Sequence, residues 1–252
     1  MAEVKLRAIG LREVNFSDHD RYLTALTEDG RKIEILCKRT QSKKNPVYAA
    51  RLFCWSEFIL RERSGKYTLR EVSLLHSFFS LTENIEKYAL ACYLAELTTA
   101  LTVEEEENVA LCRLLLSALY RLETGERPPY LIKAAFEWRS MAESGYAPSL
   151  TRCGLCGQPL KQPPIYFSVY AGQAADIRCA ERLGGWDKLQ NATVYALAHT
   201  LTKEPDKIYS FSLTGAAQKQ FCNLAEQYVQ YHLERTFDTL KFYHTVTAPI
   251  SQ

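Results

Sequence analysis

Tyr22-Leu-Thr-Ala-Leu-Thr27-Glu-Asp-Gly30-Arg-Lys32-Ile-Glu-Ile-Leu-Cys-Lys38 decides how the first third of the chain folds. Two strand-like runs, 22–27 and 32–38, flank Asp29-Gly30, a pair that signals a tight hairpin turn because glycine supplies the positive φ such turns need. Ile33 and Ile35 fall on one face of the second run. Working outward, residues 5–14 are extended in pattern. Residues 51–63 make a long strand-like run, and Ser64-Gly65 turns it into residues 67–75. Five short strands with turn punctuation predict a small antiparallel barrel or sandwich.

The pattern changes near residue 80. Ser80 with Glu83 forms a capping-box signal. Ile85, Tyr88, Ala89, Cys92, Leu94, Ala95 and Leu101 then recur at helical spacing. Thr102 with Glu105 reads as a second box, and the acidic run 104–107 would sit in that helix's first turn, where the dipole favours anions. Leu111, Leu114, Leu115, Ala118, Leu119 and Leu122 form its buried stripe, ended by Gly125. Pro128-Pro129 opens a third helix that runs to Ser144. Residues 145–185 lose helical periodicity, and glycines and prolines gather there. A helical pattern returns over 189–201, and Thr214 opens a last helix carrying Phe221, Leu224, Tyr228, Tyr231 and Leu233. The fold class is therefore α+β: a barrel over 1–80 and a helical domain over 81–252, interrupted by a Cys-containing insert at 146–185.

Composition agrees with a folded chain. Of 252 residues, 47% are apolar and 24% charged, which excludes a disordered tail, a collagen-like rod and a coiled coil. No apolar run reaches the roughly 18 residues that a bilayer crossing needs. The first 14 residues alternate and lack the apolar core of a signal peptide. A soluble, cytoplasmic protein without a membrane partner is expected. The net charge of +2 conceals an asymmetry: residues 1–80 hold 15 basic and 10 acidic side chains, residues 81–150 hold 6 and 11. A basic first third is a candidate polyanion surface.

Cys153-Gly-Leu-Cys156-Gly has the form of a zinc knuckle, in which small residues let the backbone turn two thiolates toward one ion. Cys179 is a third ligand. The C-x2-C rhythm would put the fourth at position 182, but that residue is Arg182, leaving Asp176, His199 and Cys222 as substitutes. A zinc site and a thiol remnant that folds without metal both fit these residues. The other cysteines, 37, 54, 92 and 112 among them, lie in apolar runs or alone, and no disulfide framework is expected.

Lys38-Arg39-Thr40-Gln41-Ser42-Lys43-Lys44-Asn45 reads as a basic loop, with Arg51, Phe53 and Trp55 just beyond it. Cations interleaved with aromatics suit single-stranded nucleic acid, whose phosphates pair and whose bases stack. In the acidic region Arg121, Arg127, Lys133 and Arg139, near Leu114, Phe136 and Trp138, could rim an apolar groove for an acidic peptide ending in a carboxylate. Ordinary ion pairs within the helices are the competing reading of those cations. Histidines 19, 76, 199, 232 and 244 are scattered, and neither a G-x-S-x-G elbow nor a P-loop is present. The chain is not expected to be an enzyme. A thiol- or metal-dependent enzyme built on Cys153 and Cys156, or a zinc-ribbon interaction module, are the rival readings.

Phe136-Glu-Trp-Arg-Ser-Met-Ala-Glu-Ser-Gly145-Tyr146-Ala-Pro148-Ser-Leu150-Thr-Arg-Cys153-Gly-Leu-Cys156-Gly157 resembles the signature of the RecO family of bacterial recombination mediators. The end of the chain, from Tyr228-Val-Gln-Tyr-His232-Leu233 through Phe242, resembles that family's C-terminal helix. The N-terminal strands and basic loop are similar to its OB-fold barrel, and nearly the whole chain is covered. Two departures stand out. Cys179-Ala-Glu-Arg182 replaces a second C-x2-C, and Arg39 replaces the glycine that usually follows the first lysine of the loop. The resemblance implies DNA repair by the RecF pathway: binding of single- and double-stranded DNA, annealing of complementary strands without ATP, cooperation with RecR, capture of the acidic tail of the single-stranded DNA-binding protein SSB, and loading of RecA, all near the nucleoid. Under it, Lys38, Arg39, Lys43, Lys44 and Arg51 would contact DNA and Arg121, Arg127, Lys133 and Arg139 the SSB tail, while Cys153, Cys156 and Cys179 would hold zinc.

Overall fold

Period-2 alternation builds the N-terminal sheet. In the computed structural model, which describes residues 2–16, 20–38, 47–103, 106–161 and 163–248, five strands close a barrel. They are β1 (Ala2–Asn15), β2 (Asp20–Thr27), β3 (Lys32–Lys38), β4 (Cys54–Arg63) and β5 (Lys66–Ser77), in the order β1-β2-β3-β5-β4. Along β4, Cys54, Ser56, Phe58 and Leu60 face inward while Trp55, Glu57 and Ile59 stay half-buried outside. Ala8, Leu23, Ala25, Ile35, Phe58, Leu60 and Val72 form the core. The pairs are antiparallel as expected, except that β3 and β5 close the barrel in parallel at Ile35–Tyr67. That closure gives an OB-like barrel and removes the exposed edges an open sheet would carry. Gly30, in the predicted hairpin turn, has φ +87° and lies against the backbone of Asn108, so both conformation and space require glycine.

The helices follow the sequence pattern, but their caps do not. Residues Phe79–Glu83 form a 3-10 turn in which Ser80 Oγ donates to Glu123 Oε1 at 2.5 Å. With Ser80 so engaged, Asn84 caps α1 (Ile85–Leu101), its Oδ1 accepting from Lys87 N at 3.0 Å. Thr102 ends α1, its hydroxyl donating to Thr98 O, and Asn108 caps α2 (Val109–Thr124). The acidic residues Glu106 and Glu107 thus precede α2 rather than occupying its first turn; Glu104 and Glu105 lie outside the described residues. Then come α3 (Pro129–Glu143), β6 (Ile165–Ser168), β7 (Gln173–Asp176), α4 (Ile177–Leu183), β8 (Asp187–Lys188), α5 (Asn191–Thr202), α6 (Gly215–His232) and α7 (Asp238–Thr247).

Contacts divide the chain into two units, 1–125 with 237–252, and 126–236. In the first, α7 packs on α1: Phe237 meets Tyr93 edge to face at 5.6 Å, and Glu96 accepts from the backbone and hydroxyl of Thr239. The family resemblance runs Tyr228 to Phe242 as one helix. The structure breaks it after His232, where Glu234 takes φ +49°. In the second unit, Trp138 of α3 packs on Phe167 and Tyr228 and donates to Phe221 O. The insert read as loop-rich holds β6, β7 and the short helix α4, and β8, just beyond it, completes a three-stranded sheet in the order β7-β6-β8. Its strands have four residues or fewer, too short for alternation to show.

Candidate nucleic-acid surface and metal cluster

Lys38 closes β3 and is exposed; Arg39, Lys43 and Lys44 lie outside the described residues. Arg51 is exposed as well, and its placement depends on Gly10. At a bulge in β1, Gly10 accepts from Phe53 N at 3.0 Å, and a Cβ there would overlap the Arg51 carbonyl. A side chain at position 10 would displace the segment that carries Arg51. Among the described residues neither Lys38 nor Arg51 joins an ion pair. Other cations of the basic third do: Lys5 and Arg7 pair with Glu57, and Arg31 with Asp29. The aromatics expected beside Arg51 do not form an open platform. Phe53 is buried at φ +59° and packs edge-on against Tyr88, while Trp55 is half-buried on β4. Exposed rings lie elsewhere, at Phe16 and Tyr48; the sequence marks them only as aromatics next to loops.

Cys153, Cys156, Asp176 and Cys179 converge so that one ligand atom from each lies within 4.8 Å of the others. Local structure explains the convergence. Cys153 N donates to Gln158 O and Gly157 N to Cys153 O, which curls the knuckle; Gly154 N donates to Ala174 O, which pins it to β7. Asp176 caps α4 by accepting from Cys179 N at 3.1 Å, so the cap residue and the third cysteine arrive together. Asp176 is thus the fourth donor. His199 instead bonds Lys207 O and Ser210, and Cys222 lies against Tyr130 O.

The electrostatics of this cluster are those of donors crowded without enough positive charge. The Cys179 N–H, together with the Cys156 thiol, holds the Asp176 carboxyl well below the usual range. Burial and the neighbouring acidic groups push the Cys179 thiol up to about 12. Burial opposes the Cys153 thiolate too, but backbone N–H groups of Asp176, Cys156 and Leu155 outweigh it and lower its pKa. Three thiols and a carboxylate at this separation could hold a metal ion, which would let all four donors carry charge at once.

Two of the four cations expected to bind a tail peptide are engaged inside their own unit. Lys133 is 5% exposed and reaches Glu137 and Glu226, both at 2.8 Å. Burial opposes its charge, but the two glutamates raise its pKa. Arg139 pairs with Glu143 at 2.6 Å and donates to the carbonyls of Thr200 and Leu201. These two tie α3 to α6 and α5. Arg121 on α2 and Arg127 before α3 are half-buried.

Comparison with known proteins agrees with the fold. Residues 1–78 match the family described as Recombination protein O N terminal, and residues 82–241 match Recombination protein O C terminal. The chain is 26% identical over 247 residues to the DNA repair protein RecO of Acetivibrio thermocellus, with 98% of each chain covered. It is 31% identical over 182 residues to that of Caldicellulosiruptor saccharolyticus, covering 72% of each. To the RecO of Caldicellulosiruptor bescii it is 26% identical over 98% of this chain and all of the relative. No helix among the described residues is long and apolar enough to cross a membrane. With an OB-like barrel, a cysteine knuckle and matches to both halves of one family, the chain belongs to the RecO family of DNA repair proteins, mediators rather than enzymes.

Proposed function

We propose that the barrel, residues 1–80, is a DNA-binding domain that holds single- and double-stranded DNA through Lys38, Arg39, Lys43, Lys44 and Arg51. The observation that carries this reading is the exposed, unpaired state, among the described residues, of Lys38 and Arg51 on a closed OB-like barrel. Phosphate contact by such cations lowers the repulsion between two strands, so complementary strands pair faster with no nucleotide turnover. Membership of the family supports the rest: work with RecR, capture of the SSB tail, RecA loading on coated strands, and a cytoplasmic, nucleoid-associated location. The internal engagement of Lys133 and Arg139 weighs against these two as contacts to the tail peptide. Zinc is the ion we assign to Cys153, Cys156, Cys179 and Asp176, since three thiolates with one carboxylate suit it.

A fluorescent two-strand annealing assay without ATP, at two salt concentrations, tests the central reading. Annealing faster than buffer, weakening as salt rises, is expected. Annealing no faster than buffer, with no shift of either DNA form at low salt, overturns it. Metal analysis of the same sample should give about one zinc per chain.

A further inference from the structure

We propose that Phe16 and Tyr22 form a stacking site for an unpaired base of single-stranded DNA at one end of the barrel. This rests on the DNA-binding reading above and adds what that reading lacks, a reason for unpaired DNA to be held more tightly than duplex.

The hairpin of β1 and β2 presents the pair. Val14 lies opposite Tyr22 and Asn15 opposite Arg21, and Phe16 N donates to Asp20 O at 2.9 Å. The Phe16 ring sits 5.5 Å from that of Tyr22 at an interplanar angle of 79°. Rings set edge to face are not stacked on each other, so a flat base still has a ring to lie on. Phe16 is 68% exposed and contributes nothing to the barrel core. An exposed ring held by a hydrogen-bonded backbone offers a flat face on which a base can lie.

Charge says what the partner is. Lys38 lies opposite Asp20 in the register of β2 and β3, so the exposed ammonium ends the strand beside this hairpin, with the Asp20 carboxylate across from it. Arg21 donates to Ala50 O at 2.8 Å, and Glu13 accepts from Leu52 N at 2.5 Å. These two bonds tie the segment bearing Arg51 to the same end of the barrel. Tyr48, 63% exposed, lies in that segment too. A base with a phosphate on either side suits a ring that shares one end of the barrel with Lys38 and Arg51. A duplex keeps its base faces stacked inside, so a ring there finds no face to stack on.

The test uses the full chain and two probes, a labelled single-stranded oligonucleotide and its duplex, each titrated at two salt concentrations. Phe16→Ala should weaken single-strand binding about tenfold, leave duplex binding within twofold, and leave the salt dependence unchanged. Phe16→Tyr should restore binding; Phe16→Leu, apolar but without a ring face, should not. The exposed ring predicts an unchanged melting temperature for all three. Equal single-strand affinity for Phe16→Ala and the parent, or full binding by Phe16→Leu, overturns the proposal and leaves the barrel's DNA binding standing. An equal loss on both DNA forms with a flatter salt dependence also overturns it, because Phe16 would then be ordering cations. If the parent chain binds neither DNA, the reading it rests on fails first.

Discussion

The barrel and the cysteine knuckle solve the same problem with different means. The barrel surrounds Phe58, Leu60, Leu23 and Ile35 on all sides, and closure leaves no edge. The knuckle has strands of two to four residues and a core cluster of Cys153, Ala175 and Ala180, with Leu160, Tyr166, Cys179 and Trp186 packed partly against it. Apolar burial scales with the number of residues enclosed, so the barrel can stand on its core, whereas a metal ion at the knuckle would add a cross-link to a much smaller one. Its four donor atoms, within 4.8 Å of one another, are where such a cross-link would form.

Five measurements would break or sharpen this contrast. Phe58→Ala should have the largest effect, about 3–5 kcal/mol off the unfolding free energy in a denaturant titration, because the ring is fully enclosed. A loss below about 1 kcal/mol would show that the barrel does not rest on that core. Gly10→Val should cost about 2 kcal/mol through overlap with the Arg51 carbonyl and should weaken DNA binding as Arg51 moves. Unchanged DNA affinity would separate Arg51 from binding. Chelation, or Cys153→Ser, should raise amide exchange over residues 149–183 about tenfold while leaving the barrel's amides protected; equal exchange with and without chelator would contradict the cross-link.

Charge reversal at Lys38 or Arg51 should reduce the salt-dependence slope by about 0.7–0.9 per lost phosphate contact, with stability within about 0.5 kcal/mol of the parent. An unaltered slope would remove that residue from the DNA contacts. The smallest effect belongs to Asp29. Burial opposes its charge, but hydrogen bonds from Arg31 and Thr27 outweigh it and lower its pKa from 3.8. Its contribution is therefore full above the unfolded value and disappears as pH falls through the lower folded one. Asp29→Asn should lower stability slightly at neutral pH and converge with the parent at low pH, so that the fall in stability below pH ~4 is shallower.

Much of the barrel was legible because strand-like runs of seven residues or more are separated by turn signals, and because Asp29-Gly30 has one good conformational use. The helices were legible from their stripes. Their caps were not: Ser80 and Asn84 are chemically equivalent cap residues, and Glu123, distant in sequence, decides between them by bonding Ser80. Lys133 and Arg139 read from the sequence equally well as ligand-binding cations or as internal ties. Glu226 and the Thr200 and Leu201 carbonyls, brought in by other helices, fill their hydrogen bonds. Phe53 likewise read either as a stacking ring beside Arg51 or as a core aromatic, and the turn at φ +59° puts it inside.

The chain by itself determined the α+β order, the five strands, the helical stripes and three of the four clustered donors, because these are local patterns with a period or a fixed spacing. Folding in three dimensions decided the fourth donor, the parallel closure of β3 on β5, the return of α7 to α1, and which cations and rings stay in water. Each of those depends on groups far apart in sequence meeting in space, and no local periodicity encodes such a meeting.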